Sequence, residues 1–221
     1  MKQLVITRED TLTYAVGESI NTLCTNLSAS GAKRVLFTSC EEGAGKSFVA
    51  FHTARRLAEM GRRVALVDGD LRRSSLCARH GIYLDGERRG VSYYLAHQAG
   101  YKEVVYATSV PGLSLVPVTE PVFDAAHLLG GERLGKLMAR LSACHDLVLV
   151  DTPPVGLISD ALMIAAVCEG SVLVAGDNAV RRRELTVARQ QLEDAGARVL
   201  GLVINRVPHR KKQYGSYGEE C

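Results

Sequence analysis

The sequence predicts an α/β doubly wound fold, a mainly parallel sheet with helices on both faces. Two observations carry that expectation. Short, near-continuous apolar runs recur along the chain, as strands buried on both faces require, and helical segments stand between them. The length of 221 residues and the 47% hydrophobic content suit one globular domain with a sizeable core.

In chain order, TYAVGESINTLCTNLS at 13–28 reads as a helix with apolar positions near helical spacing. The strands are VLFTS at 35–39, VALVD at 64–68, LSLVPV at 113–118, LVLVD at 147–151, SVLVA at 171–175 and VLGLVIN at 199–205. Helices are expected over 46–60, 132–143, 160–167 and 182–194. Gly61 and Gly196 stand just past two of them, where a left-handed C-cap is wanted. After Val207 the sequence turns to PHRKKQYGSYGEEC, without apolar periodicity, so 1–207 reads as the domain and 208–221 as a flexible tail.

Composition excludes several classes. With 27 basic and 24 acidic residues the net charge is +3, too small for a dedicated nucleic-acid binder. Six cysteines, at 24, 40, 77, 144, 168 and 221, form no C-x-x-C pair, so neither a zinc site nor a disulfide framework is expected and a reducing cytosol is the default. MKQLVITRED has too short an apolar stretch for a signal peptide, and the apolar stretch 161–176 is broken by Glu169, Gly170 and Ser171, short of the roughly 20 residues that span a bilayer.

Three segments at consecutive strand ends carry the chemistry. TSCEEGAGKSF at 38–48 follows a strand and opens a helix. Backbone N–H groups from Glu42 through Gly43, Ala44, Gly45, Lys46 and Ser47 to Phe48 can cradle phosphate oxygens at that helix N-terminus. Lys46 would neutralise the β/γ-phosphates and Ser47 would offer a hydroxyl to Mg²⁺. Cys40 stands where the strict pattern has its first glycine. VALVDGDLRR at 64–73 places Asp68 and Asp70 two residues apart on an extended segment, able to face one metal or nucleophile; the alternative is a surface turn in which they pair with Arg72 and Arg73. DLVLVDTPPV at 146–155 ends a strand in Asp151, placed like the acid that holds Mg²⁺ in P-loop enzymes, and Pro153 and Pro154 fix the loop beyond it. Together the segments describe a Mg²⁺–nucleotide site on a P-loop NTPase-type fold.

These residues resemble the bacterial tyrosine kinases of capsular and exopolysaccharide biosynthesis, in their cytoplasmic CpsD/CapB-like type. ESINTLCTNL at 18–27, GVSYYLAHQ at 90–98, PGLSLVPV at 111–118 and GLVINRV at 201–207 share the resemblance. The three nucleotide motifs also fit MinD/ParA-like switch ATPases, whose loop resembles K-G-G-x-G-K-T; this chain has Glu41 at the lysine position. The resemblance implies ATP and Mg²⁺ as cofactors, with Lys46 on the phosphates, Ser47, Asp70 and Asp151 toward the metal, and Asp68 as the base or orienting group for a tyrosine hydroxyl. It places Asn205 and Arg206 beside the adenine, and makes Tyr214 and Tyr217 the phosphoacceptors, modified by a neighbouring subunit. A nucleotide-binding scaffold that has lost transfer is a further alternative.

The family's first helix resembles E-x-x-R-x-x-R, a subunit-joining motif; here Glu18 stands with Asn21 and Cys24 at the arginine positions, so self-association is expected and a ring is in doubt. The resemblance also implies a separate transmembrane activator of the polysaccharide chain-length type, which recruits a cytoplasmic kinase to the inner face of the membrane, and a cognate tyrosine phosphatase. Arg181 to Arg183 read either as a phosphate or partner contact or as a solvated helix start.

Overall fold

A computed structural model describes residues 3–8, 11–83, 88–177 and 179–208. The strands are β1 (Gln3–Leu4), β2 (Arg34–Thr38), β3 (Val64–Asp68), β4 (Tyr106–Thr108), β5 (Leu113–Val116), β6 (Leu147–Asp151), β7 (Gly170–Gly176) and β8 (Arg198–Asn205). The helices are α1 (Tyr14–Ala29), α2 (Lys46–Glu59), α3 (Leu76–Arg79), α4 (Val91–Leu95), α5 (Tyr101–Val104), α6 (Ala125–Leu129), α7 (Glu132–Cys144), α8 (Asp160–Ala165) and α9 (Arg182–Asp194).

The strands form one sheet in the order β1-β4-β5-β3-β6-β2-β7-β8, parallel throughout except between β4 and β5. Side chains alternate across it: Val35, Phe37, Leu66 and Leu149 pack with α1, α2 and α3, while Leu36, Val67, Val148 and Val150 pack with α4 to α9. Both faces are therefore apolar, and the central strands read as continuous apolar runs for that reason. Helix α2 ends in a turn that needs a left-handed residue. Gly61 supplies it at φ 84°, and its amide donates to the Ala58 carbonyl.

The sequence places every long element to within two residues, and three features differ. The run 199–205 is not doubly buried, because β8 is the sheet edge, with Leu202 and Ile204 about half exposed. The strand expected over 113–118 ends at Val116, since Pro117 and Val118 leave the sheet. Elements β1, β4 and α3 to α6 are additional, each of two to five residues. The expected tail 208–221 lies outside the described residues beyond Pro208.

Candidate active site

The strand–turn–helix from β2 to α2 builds the phosphate end. Gly43 and Gly45 take left-handed conformations at φ 76° and 93°, and Lys46 opens the helix. No side chain caps α2, so its first amides face outward as anion donors, reinforced by the helix dipole. Asn205, at the end of β8, donates from Nδ2 to the Ala44 carbonyl at 2.9 Å and lies against Gly45, where any Cβ would collide with that amide. Arg206 follows in a left-handed conformation at φ 62°, exposed.

The phosphate loop opens onto a cavity of about 480 Å³ lined by Glu42, Gly43, Gly45, Lys46, Ser47 and Asp70, together with Arg72, Arg73, Arg79 and the Pro153–Pro154 loop; Asn205 and Arg206 do not line it. Thr38 fixes that loop: its hydroxyl donates to the Pro153 carbonyl at 2.9 Å and accepts from the Val155 amide at 3.1 Å. Of the expected phosphate loop, Ala44 is buried and Phe48 packs against His52 in a tilted arrangement, ring centroids 4.3 Å apart, so both can contribute through the backbone alone.

The three carboxylates have distinct surroundings. Asp70 lines the cavity, and its Oδ1 accepts the Arg73 amide at 3.0 Å. Asp68 is completely buried; it accepts from the Ser74 hydroxyl and, at 3.3 Å, from the Asp70 amide. Burial, then the charge of Asp151, push the Asp68 carboxyl up to about 8. Asp151 is buried and accepts from Ser47; burial pushes it up to about 6 against that bond and the charge of Lys46. Among the described residues, neither Asp68 nor Asp70 pairs with an arginine side chain. Arg72 instead binds the buried Asp160, and Arg73 binds Glu42 at 3.3 Å.

The donor set suits Mg²⁺. Asp151 Oδ1 is buried with no hydrogen-bond partner, an uncompensated acceptor beside the Ser47 hydroxyl and the charge of Asp70. Mg²⁺ is commonly held by one or two carboxylates together with substrate phosphates. Bound there through Ser47, Asp70 and Asp151, it would neutralise charge on the nucleotide phosphates.

On α1, Asn21 takes part in a network that its sequence position did not announce. Its Nδ2 donates to Glu18 at 3.0 Å and its Oδ1 accepts from Arg56 of α2 at 2.6 Å. Arg56 of α2 thus brings a guanidinium to the α1 surface beside Glu18. Cys24 is buried against the Thr53 carbonyl, and burial pushes its thiol up to about 11.

A family model described as the CobQ/CobB/MinD/ParA nucleotide binding domain matches residues 35–219. The chain is similar to the kinase domain of Escherichia coli tyrosine kinase ETK, with a TM-score of 0.82, 25% identity, and coverage of 97% of this chain and 88% of that one. It is 32% identical over 203 residues to the tyrosine-protein kinase CpsD of Streptococcus agalactiae, spanning 91% of this chain and 88% of that protein. The chain belongs to the bacterial tyrosine-protein kinase family, within the wider MinD/ParA nucleotide-binding fold. The septum site-determining protein MinD of Pyrococcus horikoshii, complexed with Mg-ADP, is a more distant likeness, with a TM-score of 0.68, 26% identity, and coverage of 80% and 71%. Among the described residues no helix is long and apolar enough to cross a membrane.

Two features of this kinase-family site escaped the sequence. Asp160 had no signal beyond heading a helix, and its partner Arg72 is 88 positions away. Ser74, which grips Asp68, carries no motif of its own.

Proposed function

We propose that the chain is an ATP- and Mg²⁺-dependent protein tyrosine kinase regulating synthesis or export of a capsular or extracellular polysaccharide. The observation that carries it is the convergence of Lys46, Ser47 and Asp70 on one cavity, with Asp151 hydrogen-bonded to Ser47, in a chain of the tyrosine-kinase family. Lys46 and the α2 amides hold and orient the ATP phosphates. Asp68, behind Asp70, takes the acceptor proton, and an aligned carboxylate matters because a phenol with a pKa near ~10 is not ionised beforehand. Tyr214 and Tyr217, outside the described residues, are the acceptors, presented by a second copy of the chain. The Glu18–Asn21–Arg56 network supports self-association, since it keeps charged donors on the α1 surface. A separate transmembrane activator draws the kinase to the inner membrane face, and a tyrosine phosphatase resets it.

The test is incubation of the purified chain with ATP and Mg²⁺, with and without a candidate activator tail, followed by phosphotyrosine mapping by mass spectrometry. Phosphate on Tyr214 or Tyr217, absent in Lys46→Ala, is the expected result. The likeness to MinD favours one rival, a switch ATPase, and ATP turnover without phosphotyrosine under every condition would put it first.

A further inference from the structure

Among the described residues four cations line the nucleotide cavity, and they are not equivalent. Lys46 belongs to the phosphate loop. The Arg73 side chain is 78% exposed and pairs with Glu42 at the surface, and Arg79 donates from Nε to the Ser75 hydroxyl at 2.8 Å. Arg72 alone among the lining residues is gripped by a fully buried carboxylate. Its Nε donates to Asp160 Oδ2 at 2.7 Å, its Nη2 to Asp160 Oδ1 at 3.1 Å, and its Nη1 to the Phe123 carbonyl at 3.3 Å.

A guanidinium has five N–H donors in a fixed plane. Three are taken, so two remain on a side chain that is one-third exposed and lines the cavity. An ion pair with one member fully buried is weak evidence for stability, because desolvation offsets the attraction. What the pair does supply is orientation: a planar cation held by a buried carboxylate, in the cavity that Lys46 also lines.

We propose that Arg72 is a catalytic arginine acting in cis on the γ-phosphoryl group of ATP, and that Asp160 is its positioning residue. In the transfer, the bond from the γ-phosphorus to the oxygen bridging to ADP breaks and the bond to the acceptor oxygen forms, while the acceptor proton passes to a base. Arg72 gains and loses no proton. Its two remaining N–H groups bind the equatorial oxygens, where charge spreads in the transition state. The proposal rests on the nucleotide site described above and holds whether the acceptor is tyrosine or water.

That dependence sets the experiment. Full-length wild type, Arg72→Ala, Arg72→Lys and Asp160→Asn are compared in three measurements with Mg²⁺: affinity for ADP, affinity for ATPγS, and single-turnover loss of the ATP γ-phosphoryl group, counted as phosphotyrosine plus free phosphate. Expected for Arg72→Ala is ADP affinity within about threefold of wild type, ATPγS affinity weakened about tenfold, and turnover slowed by at least about a hundredfold. Lysine recovers little, since it lacks the planar fork, and Asp160→Asn falls between. If single variants do not fold, Arg72→Met/Asp160→Leu removes the pair without stranding a charge and carries the same three measurements. Equal weakening of ADP and ATPγS, or turnover within about threefold of wild type, overturns the assignment. If wild type releases phosphate but makes no phosphotyrosine, the kinase reading fails, and the ratio of ADP to ATPγS affinity still decides Arg72.

Discussion

Asp68 and Asp151 are register partners, directly opposed across the parallel strands β3 and β6. Two buried carboxyls so placed cannot both ionise cheaply, and their affinities for protons are raised to about 8 and about 6. The folded chain without nucleotide therefore keeps protons that the unfolded chain has released above the ordinary carboxylate value. Their contribution to stability is fully present below that value. It is lost as pH rises, through about 6 for Asp151 and about 8 for Asp68. Binding of Mg²⁺–nucleotide favours the anions and expels protons. Calorimetry at pH 7 in two buffers of different ionisation enthalpy should show net proton release, with affinity rising from pH 6 to 8. A buffer-independent enthalpy would count against this account.

Replacing Asp151 by Asn should separate stability from function. The variant removes a buried acceptor that has no partner at Oδ1, while its amide oxygen can still accept from Ser47. At pH 8, where the carboxylate is ionised, removal of that charge is worth about 1–2 kcal/mol, or several degrees in Tm for a chain of this size. Thermal melts without nucleotide should therefore favour Asp151→Asn over wild type, whereas Mg²⁺-dependent nucleotide binding should fall at least about tenfold. A melting point below wild type at pH 8 would mean that Asp151 is held by more than the hydrogen bond to Ser47.

The phosphate loop depends on a contact between distant segments. Gly45 is left-handed, and a Cβ there would strike the Asn205 amide that holds the Ala44 carbonyl. Gly45→Ala should cost about 1–3 kcal/mol in strain and displaced backbone, and nucleotide affinity should drop with it. Asn205→Ala opens that space but strands the carbonyl, so it should weaken nucleotide binding with a smaller loss of Tm. Combining the two should be less damaging than the sum, because the collision is gone. Additive losses in a double-mutant cycle would show that the two residues act separately.

The legibility of this chain follows physical rules that its own elements illustrate. Strands β2, β3, β6 and β7 were readable because helices cover both faces and their central positions are apolar. Strand β8 carried the same signal yet lies at the edge, since apolar runs report composition rather than neighbours. Elements of two to five residues, such as β1 and α3, are shorter than the period needed to detect them. The phosphate loop and the acids at 68, 70 and 151 were legible because their chemistry is local to strand ends. The Arg72–Asp160 pair was not, because only the crossover from β3 to α8 brings its members together.

Ser74 offers the sharpest test of the base. Its hydroxyl donates to Asp68 Oδ2 and stabilises the ionised carboxyl, opposing the burial that raises its proton affinity. In Ser74→Ala that bond is lost, and a hydrogen bond to a charged group is worth about 1.5–3 kcal/mol, or roughly one to two pH units. If Asp68 accepts the acceptor proton, the rising limb of the pH–rate profile for tyrosine phosphorylation should move alkaline by about that amount. Affinity for ADP should stay near wild type, because Ser74 does not line the nucleotide cavity. The substituted hydroxyl is small and half-buried, so the fold should tolerate its loss. An unmoved profile in a chain that still folds and binds ADP would remove Asp68 from the role of base and leave it as a support for Asp70.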